Sequence, residues 1–329
     1  MTDPPRVLPD PPAMDALSEL LKVVRLSGGV FLDAFFTAPW CIRAQIGPED
    51  CRHVLTDVAS VVAFHYVLDG RMLMQLKNAA PVEVAAGSVV LLPRNDAHLL
   101  ASEAGLRAFD ADALVEMQQE GALARIDHGG GGALTRIVCG FVATEMRRHP
   151  LLDALPQFLV LDLNGRPESE WVASSFRFAA QEVAAARAGS ETVLARLSEL
   201  LFVEAVRGYL ATLPPGQQGW LAGLRDPAVG RALALMHARV AHPWTAEELA
   251  AEALLSRSAF AERFTLLVGA PPMSYLTAWR MQVAGRSLRE SRRSIAQVAS
   301  AVGYESEAAF ARAFKREMGA GPGEYRRRG

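Results

Sequence analysis

Several features are scarce in this 329-residue chain, and each scarcity excludes something. No uncharged apolar run approaches the roughly 18 residues needed to span a bilayer, so no membrane-crossing helix is expected. The opening stretch MTDPPRVLPDPPA holds five prolines and no apolar segment. It does not read as a secretory leader but as a flexible arm over residues 1–13, and the expected location is the cytoplasm. Only three cysteines occur, Cys41, Cys51 and Cys139, too few and too odd in number for a disulfide framework. There is no nucleophile elbow, no glycine loop to cradle a phosphate and no paired metal-ligand spacing, so little supports an enzyme.

What is present suits a soluble globular chain. Half of the residues are hydrophobic and 21% are charged, and the length suggests two or three domains. The overall charge of −2 conceals an asymmetry. From Asp226 onward 15 basic residues face 10 acidic ones, whereas residues 1–225 carry 19 and 26. A basic C-terminal region on an acidic body suits a polyanion-binding module joined to a sensing domain.

The texture changes along the chain. Leu17, Leu20, Leu21 and Val24 fall at helical spacing. Short β-branched runs then alternate with turns: Val61–Leu68, Arg71–Lys77, Val82–Val84, Ser88–Leu92 and Thr135–Val142. Asp69-Gly70 between two runs predicts a hairpin, and His128 with four following glycines predicts a loop. Such strands without long helices predict an antiparallel barrel or sandwich. Beyond Glu168 the pattern is helical. Glu168–Arg187 and Glu191–Leu213 predict a helical hairpin joined at Gly189. The second helix carries an apolar stripe of Leu194, Leu197, Leu201 and Ala205, suited to a homodimer contact or to covering a core. Pro214-Pro215-Gly216 stops that helix, and Gln217–Pro227 reads as a linker.

The last hundred residues contain a repeat. Phe260, Phe264, Gly269, Pro272 and Tyr275 have the same spacings as Phe310, Phe314, Gly319, Pro322 and Tyr325, fifty residues later. Each copy reads as a helix-turn-helix. Thr245 with Glu248, and Ser294 with Gln297, form capping boxes on the first helices. Ser256 and Ser306 start the second helices. Phenylalanines four apart share one face and must be buried. The opposite faces then present Arg257, Ser258, Ala261 and Glu262 in one unit. In the other they present Glu307, Ala308, Ala311, Arg312 and Lys315. Arg280, Arg286, Arg289, Arg292, Arg293, Arg312, Lys315 and Arg316 gather in the same region. Two matched units with polar outer faces and clustered arginines point to double-stranded DNA.

With these motifs in place, residues 229–328 resemble the DNA-binding domain of the AraC/XylS family of bacterial transcription regulators. The segment GYESEAAFARAFKREMG and the Gly-x-x-Pro-x-x-Tyr ending of each unit carry the resemblance. It implies two recognition helices, Ser256–Phe264 and Ser306–Phe314, in successive major-groove segments of promoter DNA. It places Ser258, Ala261, Glu262, Ala308 and Arg312 toward bases. Glu262 would accept from cytosine N4 and Arg312 would pair with guanine O6 and N7. Lys315 and Arg316 would meet phosphates. RNA polymerase is the partner that the family implies, and activation its commoner outcome. The first unit departs from the pattern in its turn, Ala253-Leu254-Leu255, which has no glycine.

In the β region, Gly87, Pro93 and His98 resemble the second motif of the cupin superfamily, with Asn95 in place of a glycine. Tyr66-Val-Leu-Asp-Gly70 resembles the end of the first motif. Its usual metal ligands are missing, since the glutamate position is Ala63 and the histidine positions fall near Asp57 and Ala59. His65, on the same strand face as Ala63, would point into the barrel with His98, and Cys139 could join them. Two histidines and a thiolate suit Zn(II) or Cu(I), a metal-free ligand pocket, or buried side chains satisfied by their neighbours.

The expected fold class is therefore α+β and multidomain. A flexible arm (1–13) precedes a cupin-like antiparallel β-barrel for effector sensing (14–165). A helical hairpin (166–213) and a linker (214–228) lead to an all-α double helix-turn-helix domain (229–329). The expected function is a one-component transcription regulator controlled by a small-molecule, metal or redox signal. The alternative is a cupin-fold metalloenzyme fused to a DNA-binding module.

Overall fold

The structure, a computed structural model, describes residues 15–23, 27–28, 32–47, 51, 58–116, 124–144, 150–164, 167–185, 188–214 and 219–328. The expected arm 1–13 and Asp57 lie outside them. The chain forms two compact units, residues 25–213 and residues 214–329 with the N-terminal segment through Val24.

The first unit holds two sheets. Its larger sheet contains β1 (Ser27–Gly28), β2 (Leu32–Thr37), β4 (Ser60–Asp69), β7 (Ser88–Leu92), β10 (Arg125–Gly129), β11 (Leu134–Thr144) and β12 (Leu159–Asp162). Their order is β10-β2-β11-β4-β7-β12, with β1 paired to the far end of β11. The smaller sheet contains β3 (Cys41–Ala44), β5 (Arg71–Leu76), β6 (Val82–Ala85), β8 (His98–Ala101) and β9 (Phe109–Asp110), in the order β6-β5-β8-β3-β9. Ala34, Phe36, Ala63, Val67, Val90 and Leu92 of one sheet and Ile42, Met72, Met74, Leu76 and Leu100 of the other share one buried core. The alternation of buried and less buried residues along β5, and from Ala34 to Thr37 of β2, follows from the two-residue strand period.

Two expectations change here. Among the described residues no strand pairing closes the two sheets into a barrel, and β2–β10 and β3–β9 are parallel pairs. Asp69-Gly70 does not make a hairpin, because β4 and β5 belong to different sheets. One residue between strands is too short for a two-residue hairpin loop. Gly70, at φ +78°, turns the chain from one sheet into the other. The glycine run Gly129–Gly132 has a definite task. It carries the chain across the end of β2, so that β10 and β11 flank that strand. A Cβ on Gly129 would stand 1.9 Å from the Thr37 carbonyl oxygen.

Helix α2 (Pro150–Ala154) precedes β12, and α3 (Pro167–Ala185) and α4 (Ser190–Thr212) form the expected hairpin. Ser190 Oγ donates to the buried Glu182 Oε1 at 2.8 Å beside the Gly189 turn. Leu194, Leu201 and Ala205 of the predicted stripe are buried, so the stripe covers a core.

The second unit contains α1 (Ala16–Val23), α5 (Trp220–Arg225), α6 (Pro227–Ala238), α7 (Ala246–Glu252), α8 (Arg257–Val268), α9 (Pro272–Glu290), α10 (Ile295–Ala301), α11 (Glu307–Met318) and α12 (Pro322–Arg328). The expected linker thus contains a helix, α5, whose Trp220 and Leu221 are buried. The opening helix α1, grouped by sequence with the sensing domain, packs on α6 instead. An amphipathic stripe states that a helix has a partner without stating which. The capping boxes form as the sequence predicts, at Thr245 with Glu248 and at Ser294 with Gln297. Phe260, Phe264, Phe310 and Phe314 are all fully buried.

Candidate nucleic-acid interface and signal site

The four buried phenylalanines orient helices α8 and α11. With Phe260 and Phe264 turned inward, α8 leaves Arg257, Ser258 and Glu262 exposed and Ala261 half-buried. On α11, Glu307, Ala308, Arg312, Lys315 and Arg316 are exposed and Ala311 is half-buried. Ser256 and Ser306 cap the two helices by accepting from the Ala259 and Ala309 amides, each at 3.3 Å. The helix starts are thereby fixed, and with them the rotation of each outer face. Arg257 Nη1 lies 3.3 Å from Glu247 Oε1, an exposed pair that leaves the guanidinium accessible.

The clustered arginines divide into two groups. Arg280 donates from Nε to the Val240 carbonyl at 2.9 Å and from Nη2 to the His242 carbonyl at 2.6 Å. Arg286 pairs with Glu290 at 2.9 Å, and the Arg289 guanidinium lies 4.5 Å from the Tyr325 ring centre. These three hold the domain together. Arg292, Arg293, Arg312, Lys315 and Arg316 remain exposed. The sequence reading missed Arg263, whose Nε donates to Asp226 at 2.9 Å, and Arg326, whose Nε donates to the Leu288 carbonyl at 3.2 Å. No local spacing signals these tertiary bonds.

In the first unit, His65, Cys139 and His98 come together. His65 on β4 and Cys139 on β11 are cross-strand partners, and His98 reaches them from β8 of the other sheet. His65 Nδ1 lies 2.9 Å from Cys139 Sγ, and His65 Nε2 lies 2.8 Å from His98 Nε2. His98 Nδ1 lies 2.9 Å from the Asp96 carbonyl oxygen, which can only accept. The proton positions follow in sequence from that carbonyl. His98 carries its proton on Nδ1, so its Nε2 accepts from His65 Nε2–H, and His65 Nδ1 accepts from the Cys139 thiol.

Burial keeps this chain neutral. It holds both imidazoles below their ordinary range, His65 strongly so with His98 adding to the effect. Burial also pushes the Cys139 thiol up, with Asp33 acting in the same direction. Asp33 itself is buried and bidentate to Arg136, at 3.0 and 2.7 Å. The donors form a line rather than a cup. His65 turns one ring nitrogen to each neighbour, so a single Zn(II) or Cu(I) ion cannot take all three side chains in this arrangement. Among the described residues no three His, Cys, Asp or Glu side chains are grouped to hold a metal ion.

Asn95 stands where the cupin motif has glycine, and its geometry explains why. It adopts φ +50°, which asparagine tolerates better than most residues. Its side chain accepts from the Ile46 amide at 3.1 Å and donates to the Ile46 carbonyl at 2.7 Å. Beside it opens a polar cleft of about 680 Å³, lined by Arg43, Gln45, Arg94, Asn95, Ala97 and Asp110 among others.

Comparison with known proteins gives matches over both units. A cupin family model matches residues 15–211, and a helix-turn-helix domain model matches residues 249–328. An AraC-like transcription regulator of Streptomyces antibioticus is 35% identical over 83% of this chain and 89% of its own. The transcriptional regulator AlkR of Acinetobacter baylyi is 30% identical, covering 95% of this chain and 99% of its own. The RCS-specific transcriptional activator RclR of Escherichia coli is 28% identical over 96% and 98%. The crystal structure of the DNA-binding domain of AdpA with a target DNA is 34% identical, covers 31% of this chain and 90% of that one, and has a TM-score of 0.30. These relatives are named as regulators, not enzymes.

Proposed function

This chain belongs to the AraC-like transcription regulators, and from that premise we propose that it is a one-component activator with a thiol–imidazole signal site. The carrying observation is the pair of matched helix-turn-helix units with buried phenylalanine faces and exposed polar faces. In this reading Ser258, Ala261, Glu262, Ala308 and Arg312 face bases, Lys315 and Arg316 meet phosphates, and Arg257 and Glu307 lie on the same outer faces. Activation is supported by the name of one relative, a transcriptional activator. RNA polymerase is then the protein partner and the cytoplasm the location. The exposed Trp171, Phe178, Val193 and Leu200 lie at seven-residue spacings on α3 and α4 and support a homodimer.

The signal reading rests on the His65–Cys139–His98 chain. It joins the two sheets through uncharged groups, so an oxidant, a soft metal ion or a ligand that takes one of its protons breaks a link between them. A random-sequence selection on the full chain tests DNA binding, with enrichment of one motif expected and no enrichment opposed to the reading. A promoter reporter carrying Cys139→Ser, His65→Ala or His98→Ala tests the signal site with peroxide, hypochlorite, Zn(II) and Cu(I) as probes. Loss of response with DNA affinity retained is expected. Parent-like responses in all three variants would place the sensor elsewhere.

A further inference from the structure

We infer that Arg280, Gly303 and the loop after α6 form a fixed joint between the two helix-turn-helices, and that this joint sets the spacing of the two DNA segments they read, an inference that rests on the DNA-binding reading above. Helix α9 is shared by both. Its first half is packed into the first helix-turn-helix, where the Tyr275 ring lies 5.8 Å from that of Phe264 and the Trp279 ring lies 4.3 Å from that of His237. Its second half, with Met281, Ala284 and Leu288, belongs to the core that holds Phe310 and Phe314. Arg280 stands between the two sets. Long helices curve and bend, so α9 alone would leave the angle between its two ends soft. An attachment away from the helix axis removes that freedom.

Arg280 supplies that attachment. Its bonds to the Val240 and His242 carbonyls, at 2.9 and 2.6 Å, let one planar group hold the loop that leads from α6 into α7. Between those two carbonyls stands that of Ala241, and the turn of the second helix-turn-helix is seated on it. A Cβ on Gly303 would lie 2.6 Å from the Ala241 carbonyl oxygen and 3.0 Å from Arg280 Nη2. The first helix-turn-helix shows that the turn itself does not demand glycine. Leu254 holds the equivalent left-handed position at φ +57° and is 90% exposed, whereas Gly303 at φ +81° faces the loop. The two turns share a backbone shape and differ in surroundings, so Gly303 is required by close approach. For DNA the consequence is a ruler. One added base pair shifts the second segment by about 3.4 Å and turns it by about 35° around the duplex axis. A rigid pair of recognition helices cannot follow that change, and a hinged pair can.

The test uses the full chain and a duplex that it selects from a random pool, with a footprint to locate the two contacted segments. Affinity is measured on that duplex and on versions with one base pair added or removed between the segments. The parent should lose roughly ten-fold or more on either change, the worth of one good base contact. Gly303→Ala pushes the turn off Ala241, and Arg280→Lys keeps the charge but cannot hold both carbonyls. Both variants should bind the selected duplex more weakly, yet lose less than about three-fold when the spacer changes. Leu254→Ala, the matching change away from the joint, should keep the parent's spacer ratio. Unfolding scans establish that each variant is folded at the assay temperature, and Arg280→Lys carries the test should Gly303→Ala fail to fold. A merely structural role would lower stability and leave the spacer ratio at the parent's value, and that outcome overturns the joint. A parent indifferent to spacing overturns it, as does a footprint with a single contacted segment. Failure of the DNA-binding reading would appear separately, as no enriched duplex.

Discussion

Leu254 and Gly303 occupy the same left-handed position in the turns of the two helix-turn-helix units, at φ +57° and +81°. The next residue in each turn, Leu255 or Tyr304, donates its amide back to the carbonyl of Ala250 or Ala299. The first unit therefore fills the glycine position of its turn with a leucine. That leucine, 90% exposed, holds a conformation that costs a residue with a Cβ roughly 1–2 kcal/mol. Leu254→Gly should relieve that cost, partly offset by a freer unfolded chain, for a net gain of about 1 kcal/mol. Chemical denaturation checks this, and unchanged or lower stability would show that the turn carries no such strain.

What the sequence made legible was local. Caps, phenylalanine pairs and strand runs depend on neighbours within one turn or one strand, and these appear where expected. What it concealed was the choice of distant partner. Leu17 and Leu20 announce a buried face, but nothing near them names α6. The corner at Gly70 reads as a hairpin because a left-handed glycine serves both. The His65–Cys139–His98 cluster was half visible. Strand alternation turns His65 inward, but the line of hydrogen bonds to Cys139 and His98 depends on the pairing of β4 with β11 and on the approach of a second sheet.

The exposed cations of α11 should separate by role. Arg312→Ala is expected to cost about 1–3 kcal/mol on the selected site and to relax one base position. Lys315→Ala should weaken all sequences alike and lower the salt slope by about one. Binding measured on matched and single-mismatch duplexes across salt distinguishes them. Uniform loss in Arg312→Ala would contradict base reading.

Arg280 should behave differently from both. Its guanidinium is committed to two hydrogen bonds with the Val240 and His242 carbonyls, and burial lowers its pKa. Arg280→Ala removes charge-assisted bonds, each contributing about 1.5–3 kcal/mol. The unfolding midpoint should fall clearly, while the salt slope of DNA binding at low temperature stays that of the parent. A reduced salt slope with normal stability would make Arg280 a phosphate contact after all.

The second unit should also lose stability on acidification, through His237. This side chain is buried in α6, its Nε2 lies 2.8 Å from Tyr275 Oη, and its ring lies 4.3 Å from that of Trp279. Trp220 Nε1 donates to the same hydroxyl at 3.3 Å, so the tyrosine proton points to His237. Burial lowers the His237 pKa from 6.5 to about 4, with the Ala16 backbone of α1 acting in the opposite direction. The folded-state value is the depressed one. Below pH 6.5 the unfolded chain therefore binds the proton more readily than the folded one. The stability contribution is complete above pH 6.5, declines as pH falls and is gone near pH 4. At 1.36 kcal/mol per pH unit the span amounts to about 3 kcal/mol. His237→Phe should lower stability at neutral pH, because the Tyr275 hydroxyl loses its acceptor, at about 1–3 kcal/mol. Its stability between pH 6.5 and 4 should nevertheless change less than the parent's, so the two curves converge on acidification. Denaturant unfolding of both proteins at half-unit pH steps measures this directly, and parallel curves would exclude His237 as the source of the acid sensitivity.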